Sequence, residues 1–108
     1  MKYIKHLKDL ELTNIFKSEQ NKEVNILCSR GALKLLEVNL SENATLPKHS
    51  APSPITVLCL AGHGIFKAGE NGEDEQILNA GTLIYLEKDI PHEVNAQPNL
   101  RILVTKLS

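Results

Sequence analysis

The sequence has few aromatic residues, few cysteines and no long hydrophobic run. Tryptophan is absent from the 108 residues and aromatics make up 4%, so we predict a core built from Leu, Ile and Val. The cysteines, Cys28 and Cys59, lack the spacing of a zinc site and lie in apolar runs. We interpret both as reduced core residues. No apolar stretch reaches the length of about 18 residues that a membrane-spanning helix needs.

The sequence also lacks a large excess of charged residues of one sign. The chain has 12 Lys and Arg residues against 13 Asp and Glu residues, a net charge of −1, and the basic residues are interspersed with acidic ones. This pattern argues against a nucleic-acid partner. The N-terminus carries a charge every two or three residues and therefore lacks the apolar segment of a signal peptide. We expect a soluble, cytoplasmic protein without a membrane partner.

Alternation of apolar and polar residues begins at Glu23 and predicts a β domain over residues 23–108. Residues 1–22 are more polar and ambiguous, and we interpret them as an N-terminal arm or edge strand. Within them, residues 3–17 favour a loose arm that ends as a strand. The length fits one domain with a sizeable core.

Turn residues divide the β domain into eight or nine short predicted strands, and no long helix is indicated. Two strands flank a turn at Arg30–Gly31, and Asn71–Gly72 is a strong hairpin signal. Later strands are predicted at residues 76–78, at 82–86, where we expect a buried strand, and at 100–107. The pattern predicts an all-β sandwich or barrel.

Two histidines stand beside prolines at the ends of this pattern. His49 follows Pro47 and precedes a proline-rich turn and an apolar run from Ile55 to Leu60, while His92 follows Pro91. We interpret the two histidines as residues that the fold brings to one place.

The surrounding residues resemble the motifs of the cupin family. The segment from His49 to Gly62 is similar to the first motif, G-x5-H-x-H-x3,4-E-x6-G, with the final spacing kept. The segment from Gly81 to Asn95 is similar to the second, G-x5-P-x-G-x2-H-x3-N. The resemblance implies the double-stranded β-helix, or jelly roll, of small single-domain RmlC-like cupins.

The metal-binding part of the motif is degenerate. In cupins with a complete site, three histidines and a glutamate hold a divalent metal, but here Ala51 and Ile55 replace the second histidine and the glutamate. His49 and His92 remain as possible ligands of Zn, Fe, Ni or Mn. A third ligand would have to come from the following residues, each of which also has a plainer structural explanation: Cys59, His63 and Glu93.

Three functions stay open. The first is binding of a small molecule in the barrel mouth. The residues expected to line this mouth are His49, Ile55, Val57, Cys59 and His92. Tyr85 would add a phenol if its strand turns it inward. The second is a metal-dependent enzyme of the dioxygenase or isomerase kind, which needs a third ligand. The third is a dimeric structural protein with a vestigial site. We expect a homodimer in which the N-terminal arm covers the partner's sheet edge.

Overall fold

Seven antiparallel β-strands form the fold of the computed structural model, which describes residues 3–13 and 20–107. The strands are β1 (Lys22–Arg30), β2 (Leu33–Leu40), β3 (Thr45–His49), β4 (Ile55–Ala68), β5 (Asp74–Asn79), β6 (Leu83–Leu86) and β7 (His92–Leu107). The described residues contain no helix. A helix long and apolar enough to cross a membrane is therefore also absent from them. The all-β prediction is confirmed.

Two long strands organise the sheet. β4 and β7 have 14 and 16 residues and pair with each other along both halves. The first half of β4 pairs with β6, and the C-terminal half of β7 pairs with β2, which pairs with β1. The second half of β4 pairs with β5, and the N-terminal half of β7 pairs with β3. The strands thus form two sheet halves, β1-β2-β7-β4-β6 and β3-β7-β4-β5.

Glycines allow β4 to pass from one sheet half to the other. The β4–β7 register shifts on both sides of Gly62, whose φ is 83°. A Cβ atom on Gly62 would overlap the carbonyl oxygen of Asn99, and one on Gly64 would lie 2.6 Å from the carbonyl oxygen of Asn95. Both positions therefore require glycine, since the two backbones approach too closely for a side chain.

The core lies between the two sheet halves, because one hydrophobic cluster contains side chains from both. It is mainly aliphatic, as predicted, and Phe66 is its aromatic member among the described residues. Leu40, Leu78 and Leu100 are fully buried. Each contributes roughly 2 kcal/mol by leaving water, so the interior of the barrel is stabilised largely by packed Leu, Ile and Val side chains.

Two predictions about individual strands were wrong. The chain has seven described strands instead of eight or nine, because β4 and β7 each continue through a bend that the sequence suggests as a break. The strand expected to be buried at residues 82–86 is β6, a sheet edge, where Leu83 is 65% exposed and Tyr85 is 59% exposed. An edge strand needs only one apolar face, so burial of both faces does not follow from its composition.

The N-terminal arm packs on the outer face of β2 and β7. The Lys8 Nζ atom donates a hydrogen bond to Glu37 Oε1 at 2.7 Å, and Arg101 Nε donates to the Thr13 carbonyl oxygen at 2.8 Å. Residues 3–13 form no strand, and most of the strand predicted at the end of the arm lies outside the described residues. Residues 3–13 of the arm are thus held by side-chain contacts rather than by sheet pairing.

Candidate functional site

The structure brings His49 and His92 together. His49 ends β3, His92 begins β7, and the two residues are direct partners in the antiparallel ladder. Their ring centroids lie 4.3 Å apart, with an interplanar angle of 59°. The two imidazoles therefore form a contact pair, although 42 residues lie between them in the sequence.

Both rings are anchored in the same way. His49 Nδ1 lies 2.8 Å from the carbonyl oxygen of Pro47, and His92 Nδ1 lies 2.9 Å from the carbonyl oxygen of Ile90. A carbonyl oxygen only accepts hydrogen bonds, so each Nδ1 atom carries the proton. In the neutral rings the Nε2 atoms are therefore hydrogen-bond acceptors, and no donor among the described residues bonds to either of them.

Burial keeps His92 neutral. Its side chain is 4% exposed and stacks on Phe66 with a centroid distance of 5.4 Å. Desolvation lowers the pKa of His92, and the neighbouring His49 and Lys106 lower it further, against an opposing effect of the hydrogen bond to the Ile90 carbonyl. At pH 7 the imidazole of His92 is therefore an uncharged acceptor.

Three other predicted lining residues lie in the packed core. Ile55, Val57 and Cys59 share the inward face of β4 and are 4%, 1% and 1% exposed. The Cys59 thiol contacts the Ala61 carbonyl oxygen at 3.6 Å, and burial raises its pKa. These three side chains fill the barrel interior and do not line the cavities described below.

Tyr85 does not turn inward. It lies opposite Thr56 in the β4–β6 ladder, whereas its neighbours Ile84 and Leu86 pack against the core. Because side chains alternate along a strand, Tyr85 is directed to the outer face, where its hydroxyl donates a hydrogen bond to Glu87 Oε2 at 3.2 Å. The condition under which its phenol would join the interior of the barrel is therefore not met.

None of the residues considered as a third metal ligand forms a metal-binding group with the histidine pair in the described part of the chain. His63 is exposed and its Nδ1 lies 2.8 Å from Asn79 Oδ1, while Glu93 follows His92 and so lies on the opposite face of β7. Within residues 3–13 and 20–107, no group of three or more His, Cys, Asp or Glu side chains could hold a metal. Ala51 and Ile55, which replace the motif's missing ligands, are buried apolar residues. The residues present do not fit a complete cupin metal site.

Two clefts that the sequence analysis did not predict lie near the pair. One, of about 320 Å³, is lined by His92 and by charged residues on and around the β4–β5 turn: Lys48, Lys67, Glu70, Glu75 and Glu93. The other lies between the edges of β5 and β6 and comprises two cavities of about 160 and 340 Å³ that share the lining residues Ala68, Asp74, Tyr85 and Leu86. The feature of the sequence that could have indicated both clefts is the acidic segment 70–75, which was interpreted only as an exposed turn.

Comparison with solved structures supports the cupin fold. A conserved protein of unknown function from Streptococcus pyogenes is 21% identical with a TM-score of 0.77, over 97% of this chain and 90% of that chain. A cupin superfamily protein from Desulfitobacterium hafniense is 11% identical with a TM-score of 0.77, over 86% of this chain and 83% of that chain. An RmlC-like cupin protein from Desulfovibrio desulfuricans is 19% identical with a TM-score of 0.74, over 94% and 97%.

These likenesses show the fold. No protein-family model matches the sequence, and no curated protein matches it either. The chain therefore has the double-stranded β-helix fold of cupins, as the motif resemblance predicts, and its function has to be argued from its own residues.

Proposed function

We propose that this cupin-fold protein binds a small molecule that donates hydrogen bonds to His49 and His92. The observation that carries the proposal is the matched anchoring of the two rings. Backbone carbonyls hold both Nδ1 protons, so two Nε2 acceptors are presented on rings whose centroids are 4.3 Å apart.

The energetic argument rests on His92. His92 lines the cleft of about 320 Å³, and a ligand hydroxyl or amine that donates to its Nε2 forms a hydrogen bond with a net contribution of about 0.5–1.5 kcal/mol. The rings are also held in place before binding, so little side-chain freedom is lost. Since the His92 pKa is lowered, its neutral imidazole has the protonation state of a general base, and an acid–base reaction on a bound hydroxyl is the simplest enzymatic extension of this proposal.

A metal is the second candidate ligand, and one observation favours it. Histidines that bind metals commonly donate the other ring N–H to a backbone carbonyl or carboxylate, which is the arrangement of both rings here. Catalytic metals generally have three protein ligands, however, and the described residues supply two. We therefore place the metal-dependent dioxygenase or isomerase second, and a structural protein with a vestigial site third.

The proposal is tested by NMR on uniformly 15N-labelled protein with the histidine ring nitrogens as reporters. Metal-free protein is titrated with a set of small polyols, hydroxy acids and amines, and then with zinc alone. We expect at least one organic compound to shift the Nε2 signals of both histidines in a saturable way. The His49→Ala variant should lose this response because it removes one of the two acceptors.

His63→Ala is the matched control, since His63 is an exposed histidine on β4 that bonds to Asn79 instead of the pair. It should bind as the unmodified protein does. If zinc binds stoichiometrically and the organic compounds produce no shift, the metal candidate replaces the proposal. If neither produces a shift in the pair, the vestigial interpretation is correct.

A further inference from the structure

The cleft between β5 and β6 has an apolar floor that is open to solvent. β5 and β6 are separate edge strands that pair with different halves of β4, so a gap remains where the two sheet halves meet. Its inner part, of about 160 Å³, reaches the ring of Phe66 and the side chains of Ile84 and Leu86. Its outer part, of about 340 Å³, extends over Leu86 to Ile90. Together they have the size and apolar floor of a site for a small organic molecule.

The charged residues around this floor all have the same sign. Four acidic residues and no basic residue are among the lining residues described for the two parts, and the acidic ones are Glu73, Asp74, Glu75 and Glu87. This differs from the cleft beside His92, where lysines and glutamates are mixed. The difference in charge gives the β5–β6 cleft a preference for cations.

The contacts of the carboxylates indicate which of them face a ligand. Glu73 Oε1 accepts a hydrogen bond from the Asn71 backbone N–H at 3.0 Å, and Glu75 Oε1 lies 3.9 Å from Lys67 Nζ. The Asp74 side chain has no hydrogen bond or ion pair to another described residue. Glu87 receives one hydrogen bond, from the Tyr85 hydroxyl, which leaves further acceptor positions on its carboxylate. Asp74 and Glu87 line the same outer part of the cleft.

We propose that the β5–β6 cleft binds a small organic amine in its protonated form, with the ammonium group at Asp74 and Glu87 and the apolar body on the cleft floor. The occupant follows from two independent properties of the cleft. The acidic rim alone would be a solvated edge, and the apolar floor alone would take any hydrophobic molecule. Their combination selects a molecule that is cationic at one end and apolar at the other. Neither His49 nor His92 lines this cleft, so the inference goes beyond the proposed function.

The test is a titration of 15N-labelled protein with benzylammonium chloride at pH 7 and low salt, followed through the backbone amides. Benzyl alcohol and benzoate are the neutral and anionic matched probes. We expect saturable shifts on β5 and β6 with benzylammonium, at least tenfold weaker binding of the alcohol, and no binding of benzoate. Raising the salt concentration should weaken the benzylammonium complex, because ions screen exposed charge pairs.

The variant Asp74→Asn/Glu87→Gln should bind benzylammonium at least tenfold more weakly while it keeps its fold, because both side chains are exposed. The control variant Glu70→Gln/Glu93→Gln removes the same net charge from the other cleft and should change the affinity less than twofold. The proposal is overturned if the alcohol binds as well as the amine, if both variants weaken binding equally, or if benzylammonium causes no saturable shift on β5 and β6.

Discussion

Replacing Glu37 by glutamine perturbs the contact that fixes the N-terminal arm. Glu37 is 1% exposed, and its Oε1 atom accepts hydrogen bonds from Lys8 Nζ at 2.7 Å and from Asn25 Nδ2 at 3.1 Å. Its Oε2 atom is buried and has no hydrogen-bond partner in the described part of the chain. The charge of Arg101, which is itself 8% exposed, also stabilises the carboxylate. The Glu37→Gln variant removes this negative charge with little change in shape.

The magnitude follows from the burial of the two partners. Removing one member of a buried ion pair costs about 3–5 kcal/mol. Lys8 is 41% exposed and regains water when its partner is lost, so the loss is smaller. The glutamine amide keeps one oxygen that can accept from Lys8 and Asn25, and its neutral NH2 group replaces a charged oxygen that lacks a partner, which offsets a further part. We expect the variant to be about 2 kcal/mol less stable at pH 7, and its Tm to fall by about 8 °C at roughly 4 °C per kcal/mol.

The pH dependence has a defined sign. Burial raises the pKa of Glu37, but the hydrogen bonds from Lys8 and Asn25 and the charges of Lys8 and Arg101 outweigh it, and the net pKa is lowered. A lowered folded-state pKa contributes stability above the unfolded value of about 4.3, and this contribution is lost as the pH falls through the folded pKa. The difference between the two proteins should therefore be full at pH 7 and shrink below about pH 4.

Urea unfolding followed by circular dichroism at pH 7 and at pH 3 measures both quantities. The Lys8→Met variant is the control, because it breaks the same ion pair but keeps the carboxylate. It should be destabilised at pH 7 and should lose less stability on acidification than the wild type, because the hydrogen bond and the charge of Lys8 are among the contributions that lower the Glu37 pKa. Equal stability of wild type and Glu37→Gln at pH 7, or a difference that does not change with pH, would refute the reasoning.

Three further predictions concern the site, the bend and the sheet edge. In an NMR titration the His92 ring should become protonated below the unperturbed pKa of about 6.5, because the pKa of His92 is lowered in the folded protein. The free energy of unfolding should fall as the pH drops from about 6.5 to the folded-state pKa of His92. In urea unfolding, Gly62→Ala should lower the free energy of unfolding by about 3 kcal/mol or more, since φ is positive and the Asn99 carbonyl blocks a Cβ atom. The control Gly31→Ala has a positive φ but open space around the Cβ position, and it should lower the free energy of unfolding by about 1 kcal/mol. In sedimentation velocity at micromolar concentration we expect a homodimer that Ile26→Lys converts to a monomer, because β1 is an edge strand on which Ile26 is 62% exposed.

Each of these has a contradicting result. A His92 midpoint at or above 6.5 would show that burial does not control its protonation. Equal losses for the two glycine variants would show that the backbone approach at Gly62 is not a constraint. A monomeric wild-type protein would remove the homodimer proposal.

The sequence alone was sufficient to predict the fold class. Alternating apolar residues, glycine turns and the two histidine motifs are local features, and a strand's period of two is written directly into the chain. The aliphatic core follows in the same way from composition. The shared inward face of Ile55, Val57 and Cys59 could also be predicted, because alternation within one strand needs no information about its neighbours.

Tertiary structure decided the features that depend on pairing between distant residues. Whether a strand is central or at an edge is set by its partners, so the exposure of Tyr85 and the continuity of β4 through Gly62 were not predictable from local pattern. The same holds for the arm contact at Glu37, which joins residues 29 positions apart, and for the cleft, which exists because β5 and β6 pair with different halves of one strand. Local pattern determines which face of a strand is apolar, and long-range register determines what that face meets.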